Sequence, residues 1–184
     1  AVEPGLPYVK YLEKKYGFGG LEVVPYGYSI APFLQNPTLS QQVFVTSEPI
    51  TARRQGADPA VFLVADSGYN PYTAVVIAQG AFVREHAAQV AIVVAALREG
   101  WRAYLDDPTE ANVHMAKLNP EMDAESFRGA AEAQKPLIEV KDGALGQMTL
   151  ERWATLASQL LDLGLIEEPI SAQDCFVASV PALP

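Results

Sequence analysis

Over the first third of the chain, short apolar runs alternate with patterns of helical period. Residues 1–3 read as the end of a strand stopped by Pro4-Gly5. Residues 6–16 then place Val9, Leu12 and Tyr16 at helical spacing, with Gly17 and the Gly19-Gly20 pair as the stop. Residues 21–24 form a second short β-rich run closed by Pro25. Ser29 is placed to cap a helix through Leu34, which Asn36-Pro37 ends. A third strand is expected at 43–45, a helix at 49–55 with Gly56 behind it, and a fourth strand at 60–65. The unalternating run VFLVA predicts a strand covered on both faces, and the strand–helix alternation predicts βαβ units on a parallel sheet.

The pattern changes after Asp66. Residues 74–78 (AVVIA) give one more apolar strand, and the chain is then helical in period: one or two helices over 83–105, another over 108–118, another over 124–133. Residues 135–146 read as an irregular loop punctuated by glycine. Thr149 is an N-cap for a helix over 150–163, with Glu151 in its first turn and Gly164 as its stop. The expected organisation is a four-strand α/β piece over 1–66, a crossing at 67–73, and a helix-rich piece over 74–184. One strand does not cover four helices, so the strands missing from this last piece are expected upstream of Ala1. The opening AVEPG also reads like the middle of a protein.

Composition narrows the function classes. Of the 184 residues, 49% are hydrophobic and 19% charged, which excludes wholesale disorder. A formal charge of −9 and the lack of a basic stripe argue against a nucleic-acid partner. Cys175 is the only cysteine, so neither an internal disulfide nor a thiolate metal cluster can form. The apolar run 90–97 is too short to span a bilayer and flows into Arg98 and Glu99.

Three clusters stand where parallel strands would end, the edge at which ligands bind in such sheets. The first holds Gly5 and Tyr8: Gly5 allows close backbone approach, and the helix start offers free N–H groups; a plain strand-to-helix turn explains them equally. The second is Thr46-Ser47-Glu48-Pro49. Its polar groups fit a helix cap, and Glu48 also fits a carboxylate accepting ring or amine N–H groups. The third, Asp66-Ser67-Gly68-Tyr69-Asn70-Pro71-Tyr72, contains turn residues, but Tyr69 and Tyr72 supply flat faces with polar tips, suited to a planar ligand or to packing. His86 and His114 lack metal-ligand spacing, and no metal or cofactor site is expected. Trp101 and Trp153 read as core. No nucleophile elbow, P-loop or dinucleotide fingerprint is present.

AVEPGLPYVKYLEKKYG, QQVFVTSEPITARRQGADPAVFLVADSGYNPYT, ALREGWRAYLDDP and GQMTLERWATLASQLLDLGLI together resemble the ABC-importer substrate-binding proteins related to thiamine-pyrimidine synthase, also called nitrate/sulfonate/taurine-type solute-binding proteins. The resemblance implies a two-lobe periplasmic binding protein type II fold, with 1–66 as the second lobe and 74 onward as the later, helix-rich part of the first. It implies a periplasmic or lipid-anchored protein that closes on a small molecule and delivers it to an ABC permease, with the N-terminal segment of the same protein completing the cleft. The family's ligands include thiamine-pyrimidine precursors, flavin-like heterocycles and sulfonates. Tyr69, Tyr72 and Glu48 favour a planar nitrogen heterocycle, because none of the three clusters contains Arg or Lys. Two alternatives stand beside this. One is an enzyme like the family's eukaryotic pyrimidine synthases, which carry a cysteine-rich iron motif and a PLP-linked lysine. The other is a sensor or scavenging domain without a permease.

Overall fold

The computed structural model describes residues 1–138 and 145–177. It is mainly helical, and two compact units are distinguishable. The first comprises Ala1–Asn70 and Thr155–Pro169, the second Pro71–Ala154 and Ile170–Pro184.

In the first unit, α1 (Pro7–Tyr16) begins with proline at its first position, where a missing N–H costs nothing, and ends at Gly17. α2 (Ala31–Gln35) and α3 (Glu48–Arg54) also carry proline in the first turn. Arg53 and Arg54 lie in the last turn of α3, favourably placed against the helix dipole. Val64–Ser67 form one turn of 3-10 helix, closed by Gly68 in the left-handed region.

The expected strands are the main correction. Among the described residues none of 1–3, 21–24, 43–45, 60–65 or 74–78 forms a ladder; one isolated parallel bridge joins Val2 to Pro25. The Val2 amide donates to Val24 O at 3.0 Å, and the Tyr26 amide donates to Val2 O at 3.0 Å. That bracket needs no N–H from Pro25, so proline is tolerated there. On the other side of 1–3, the Gln42 amide donates to Ala1 O, but the Glu3 amide turns to the Gln42 side chain (Oε1, 2.9 Å). A side chain thus takes the place of the next ladder carbonyl, and the pairing stops. Segments 24–26 and 40–42 flank 1–3 as the rudiment of a sheet.

The second unit contains α4 (Gly80–Glu85), α5 (Ala87–Asp106), α6 (Thr109–Leu118) and α7 (Ala124–Ile138). α4 and α5 break at His86, whose ring packs on Phe82 with centroids 4.7 Å apart. Tyr104 ties three helices together: its hydroxyl donates to Asn112 of α6 and accepts from Gln134 of α7. Burial pushes its pKa up. Among the described residues, Leu105, Phe127, Ala131 and Ala91 are the buried ones here. α7 runs beyond the expected end at 133, through Pro136. Lys135 donates to Leu105 O at 3.1 Å, a tertiary contact that holds the last turn. Most of the loop expected at 135–146 lies outside the described residues or is helical. α8 (Leu150–Asp162) starts as expected, the Thr149 hydroxyl accepting from the Arg152 amide, and Gly164 follows it with φ +64°. The division between units falls within α8, after Ala154.

Candidate functional site

Glu48 opens α3, and both of its carboxylate oxygens are engaged. Oε1 accepts from the Tyr26 hydroxyl at 2.7 Å and Oε2 from the Phe44 amide at 2.9 Å. Each oxygen has two acceptor positions, so each keeps one for a further donor. Glu48 thus stands at the start of α3, where the helix dipole favours a carboxylate, but its bonds reach back to Tyr26 and Phe44 outside the helix. The expected cap is not made: Ser47 forms no side-chain cap bond. Thr46 is half-buried in the turn before α3, and Ser47 is exposed. Burial, then the hydrogen bond and charge of Glu48, push the Tyr26 phenol up to about 12.

Gly5 turns the chain into α1 with φ +85°, a conformation that glycine adopts without a Cβ penalty. Tyr8, one turn on, donates its hydroxyl to Gln42 Oε1, the same oxygen that receives the Glu3 amide. Burial, and then the charge of Glu3, raise its pKa. Gln42 stands two residues before Phe44, so a chain of contacts runs from Tyr8 through the 42–44 segment to Glu48 and Tyr26. The first two sequence clusters are thus connected, through Gln42 and Tyr26, which sequence reasoning did not single out. A glutamine directly before the apolar run VFV (Gln42) and a tyrosine just past an expected strand end (Tyr26) were the available cues.

The third cluster is placed differently. Tyr69 is only 6% exposed, its ring packed on Tyr11 of α1 at 5.2 Å, and burial raises its pKa. Asp66 is exposed. The Ser67 carbonyl accepts from the Tyr11 hydroxyl (2.9 Å) and from Lys15, and the Gly68 carbonyl accepts from Gln159 of α8 (2.9 Å). Tyr11, Lys14, Lys15, Gln159, Asp162 and Leu163 line a shallow hollow beside these contacts, closed on one side by the Lys14–Asp162 ion pair at 2.9 Å.

Tyr72 belongs to the second unit. Its hydroxyl accepts from the Thr149 amide at 2.8 Å, and the Arg152 guanidinium lies 4.1 Å from its ring centroid while donating to Pro71 O. Trp153 packs on Tyr72 at 5.7 Å and stacks on Phe176 at 5.9 Å. The fold therefore brings cations to clusters that contain none in sequence, Lys15 to Ser67 and Arg152 to Tyr72.

The NMT1/THI5 like family model matches residues 10–111, more than half of the chain, and the chain belongs to this family. The family has a periplasmic-binding-type fold and includes ABC substrate-binding proteins, together with a synthase. Family membership points to a small-molecule ligand and to an ABC permease as partner. No curated protein and no solved structure matches the chain.

Proposed function

We propose that the protein is the solute-binding component of an ABC importer, acting outside the cytoplasm. Its ligand is a small planar nitrogen heterocycle of the thiamine-pyrimidine precursor type. Glu48 carries this reading. Its carboxylate is fixed by two donors yet keeps two acceptor positions, the arrangement that pairs with the amino and ring N–H groups of such a ligand. Tyr8 is tied to this group through Gln42 and the 42–44 segment, Gly5, Thr46 and Ser47 flank it in sequence, and Asp66 and Tyr69 are the further contacts proposed within the first unit. A second reading, a small sulfonate, is favoured by Arg152 over Tyr72, since a guanidinium is the natural partner of an anionic head.

Native mass spectrometry of the full-length protein purified from cells, followed by calorimetric titration, separates these readings. The probes are 4-amino-5-hydroxymethyl-2-methylpyrimidine and taurine. Tight binding of the pyrimidine alone supports the first reading, and binding of taurine alone supports the second. Consumption of bound PLP with release of a pyrimidine would replace both with the synthase.

A further inference from the structure

Tyr28 is the one non-glycine residue with positive φ (+55°) among the described residues. A tyrosine in the left-handed region is an outlier, and such outliers persist where the surroundings hold them. Burial does not explain it, because the side chain is 74% exposed. Its ring instead rests on Tyr26, centroids 4.9 Å apart and planes at 56°. Tyr26 is the residue whose hydroxyl holds Glu48 Oε1. A single side chain thus joins an open aromatic face to a fixed carboxylate. Phe44, whose amide holds the other oxygen, is also exposed, at 65%.

We infer that Tyr28 is the stacking platform of the ligand site and Tyr26 its positioning residue, so that an aromatic ring bearing an amino or amidinium group lies on Tyr28 and donates to Glu48. The inference rests on the reading of Glu48 given above and changes which tyrosine grips the ring. Tyr69 is covered by Tyr11 and Tyr72 is occupied by Arg152 and Trp153, whereas Tyr28 has a face free. An aromatic face with a carboxylate beside it also suits a ligand with delocalised positive charge, which the ring quadrupole attracts.

The test uses the full-length protein with ring-labelled tyrosine, titrated with 4-amino-5-hydroxymethyl-2-methylpyrimidine and, separately, with benzamidine. Both should shift the Tyr28 ring resonances. Tyr28→Gly should lower pyrimidine affinity about tenfold, the scale of a lost base–aromatic stack, while Tyr28→Phe stays within about threefold of wild type. Because glycine relieves the positive φ, Tyr28→Gly should melt no lower than wild type, which a purely structural tyrosine would not allow. Wild-type affinity in Tyr28→Gly, or a lowered Tm in that variant, overturns the inference while leaving the importer reading in place. Benzamidine shifting Tyr28 where the pyrimidine does not bind keeps the platform and removes the pyrimidine as ligand. No shift at Tyr28 with either probe overturns the inference.

Discussion

The Tyr26–Glu48 bond is the contact on which the proposed site in the first unit depends, and a double-mutant cycle measures it. Hydrogen bonds to charged groups contribute ~1.5–3 kcal/mol when well shielded. Tyr26 and Glu48 are only half-buried, so their 2.7 Å bond belongs at or below the low end, about 1 kcal/mol. The Phe44 amide is exposed and water replaces its partner readily, which leaves about 0.5–1 kcal/mol for that bond. Glu48→Ala should therefore cost about 2 kcal/mol and Tyr26→Phe about 1 kcal/mol, with a coupling of about 1 kcal/mol in the double variant. Glu48→Gln should cost about half as much as alanine. Its Oε1 can accept the Phe44 amide while its Nε2 donates to the Tyr26 oxygen. Both tryptophans, Trp101 and Trp153, belong to the second unit, so tryptophan fluorescence is a poor reporter here. Hydrogen exchange at the α3 amides of residues 50–55, with far-UV circular dichroism under urea, reads the pair directly. Additive single effects, with coupling below about 0.3 kcal/mol, would refute the reasoning and leave Glu48 held by the Phe44 amide alone.

The raised Tyr26 pKa gives a pH dependence of definite sign. The folded state holds the phenolic proton more tightly than the unfolded chain, so this contribution is full below pH 10, falls as pH rises and is gone above about 12. Phenolate absorbance should show several late-titrating tyrosines, with a component near pH 12 that disappears in Tyr26→Phe. Gly68→Ala should destabilise the first unit by about 1–2 kcal/mol, because φ is +98° and the added Cβ would stand 3.0 Å from the Tyr11 hydroxyl oxygen. Tyr11→Phe in the same background should remove the clash, leave the strain and lose the bond to Ser67 O. The comparison is therefore with Tyr11→Phe alone, in which Gly68→Ala should cost less than in wild type by thermal melt. Phe127→Ala, at a site 7% exposed, should cost about 3 kcal/mol in the second unit, read by the urea midpoint from Trp101 fluorescence. Lys14→Met should change stability by less than about 0.5 kcal/mol, since both members of the Lys14–Asp162 pair are largely exposed. A larger loss would show that the ion pair is worth more than its exposure implies.

Helices were legible in the sequence because their determinants are local. Pro7 at the start of α1 and Gly17 at its end, Thr149 before α8 and Gly164 after it, and the apolar spacing between them act within a few residues of where they stand. The strands were not legible as a sheet, since an apolar run such as 60–65 or 74–78 becomes a strand only when another segment supplies its hydrogen-bond partners. In this structure the Gln42 side chain takes the Glu3 amide where a ladder carbonyl would have stood. The candidate site divides along the same line. That Glu48 is a carboxylate at the start of a helix could be read from TSEP alone. That it is held by Tyr26 and Phe44, that Tyr69 is sealed under Tyr11, and that Arg152 arrives over Tyr72 from 80 positions away required the tertiary structure. Caps and periods are fixed by neighbours in sequence; the company that a side chain keeps is fixed by segments whose separation along the chain leaves no mark in the local pattern.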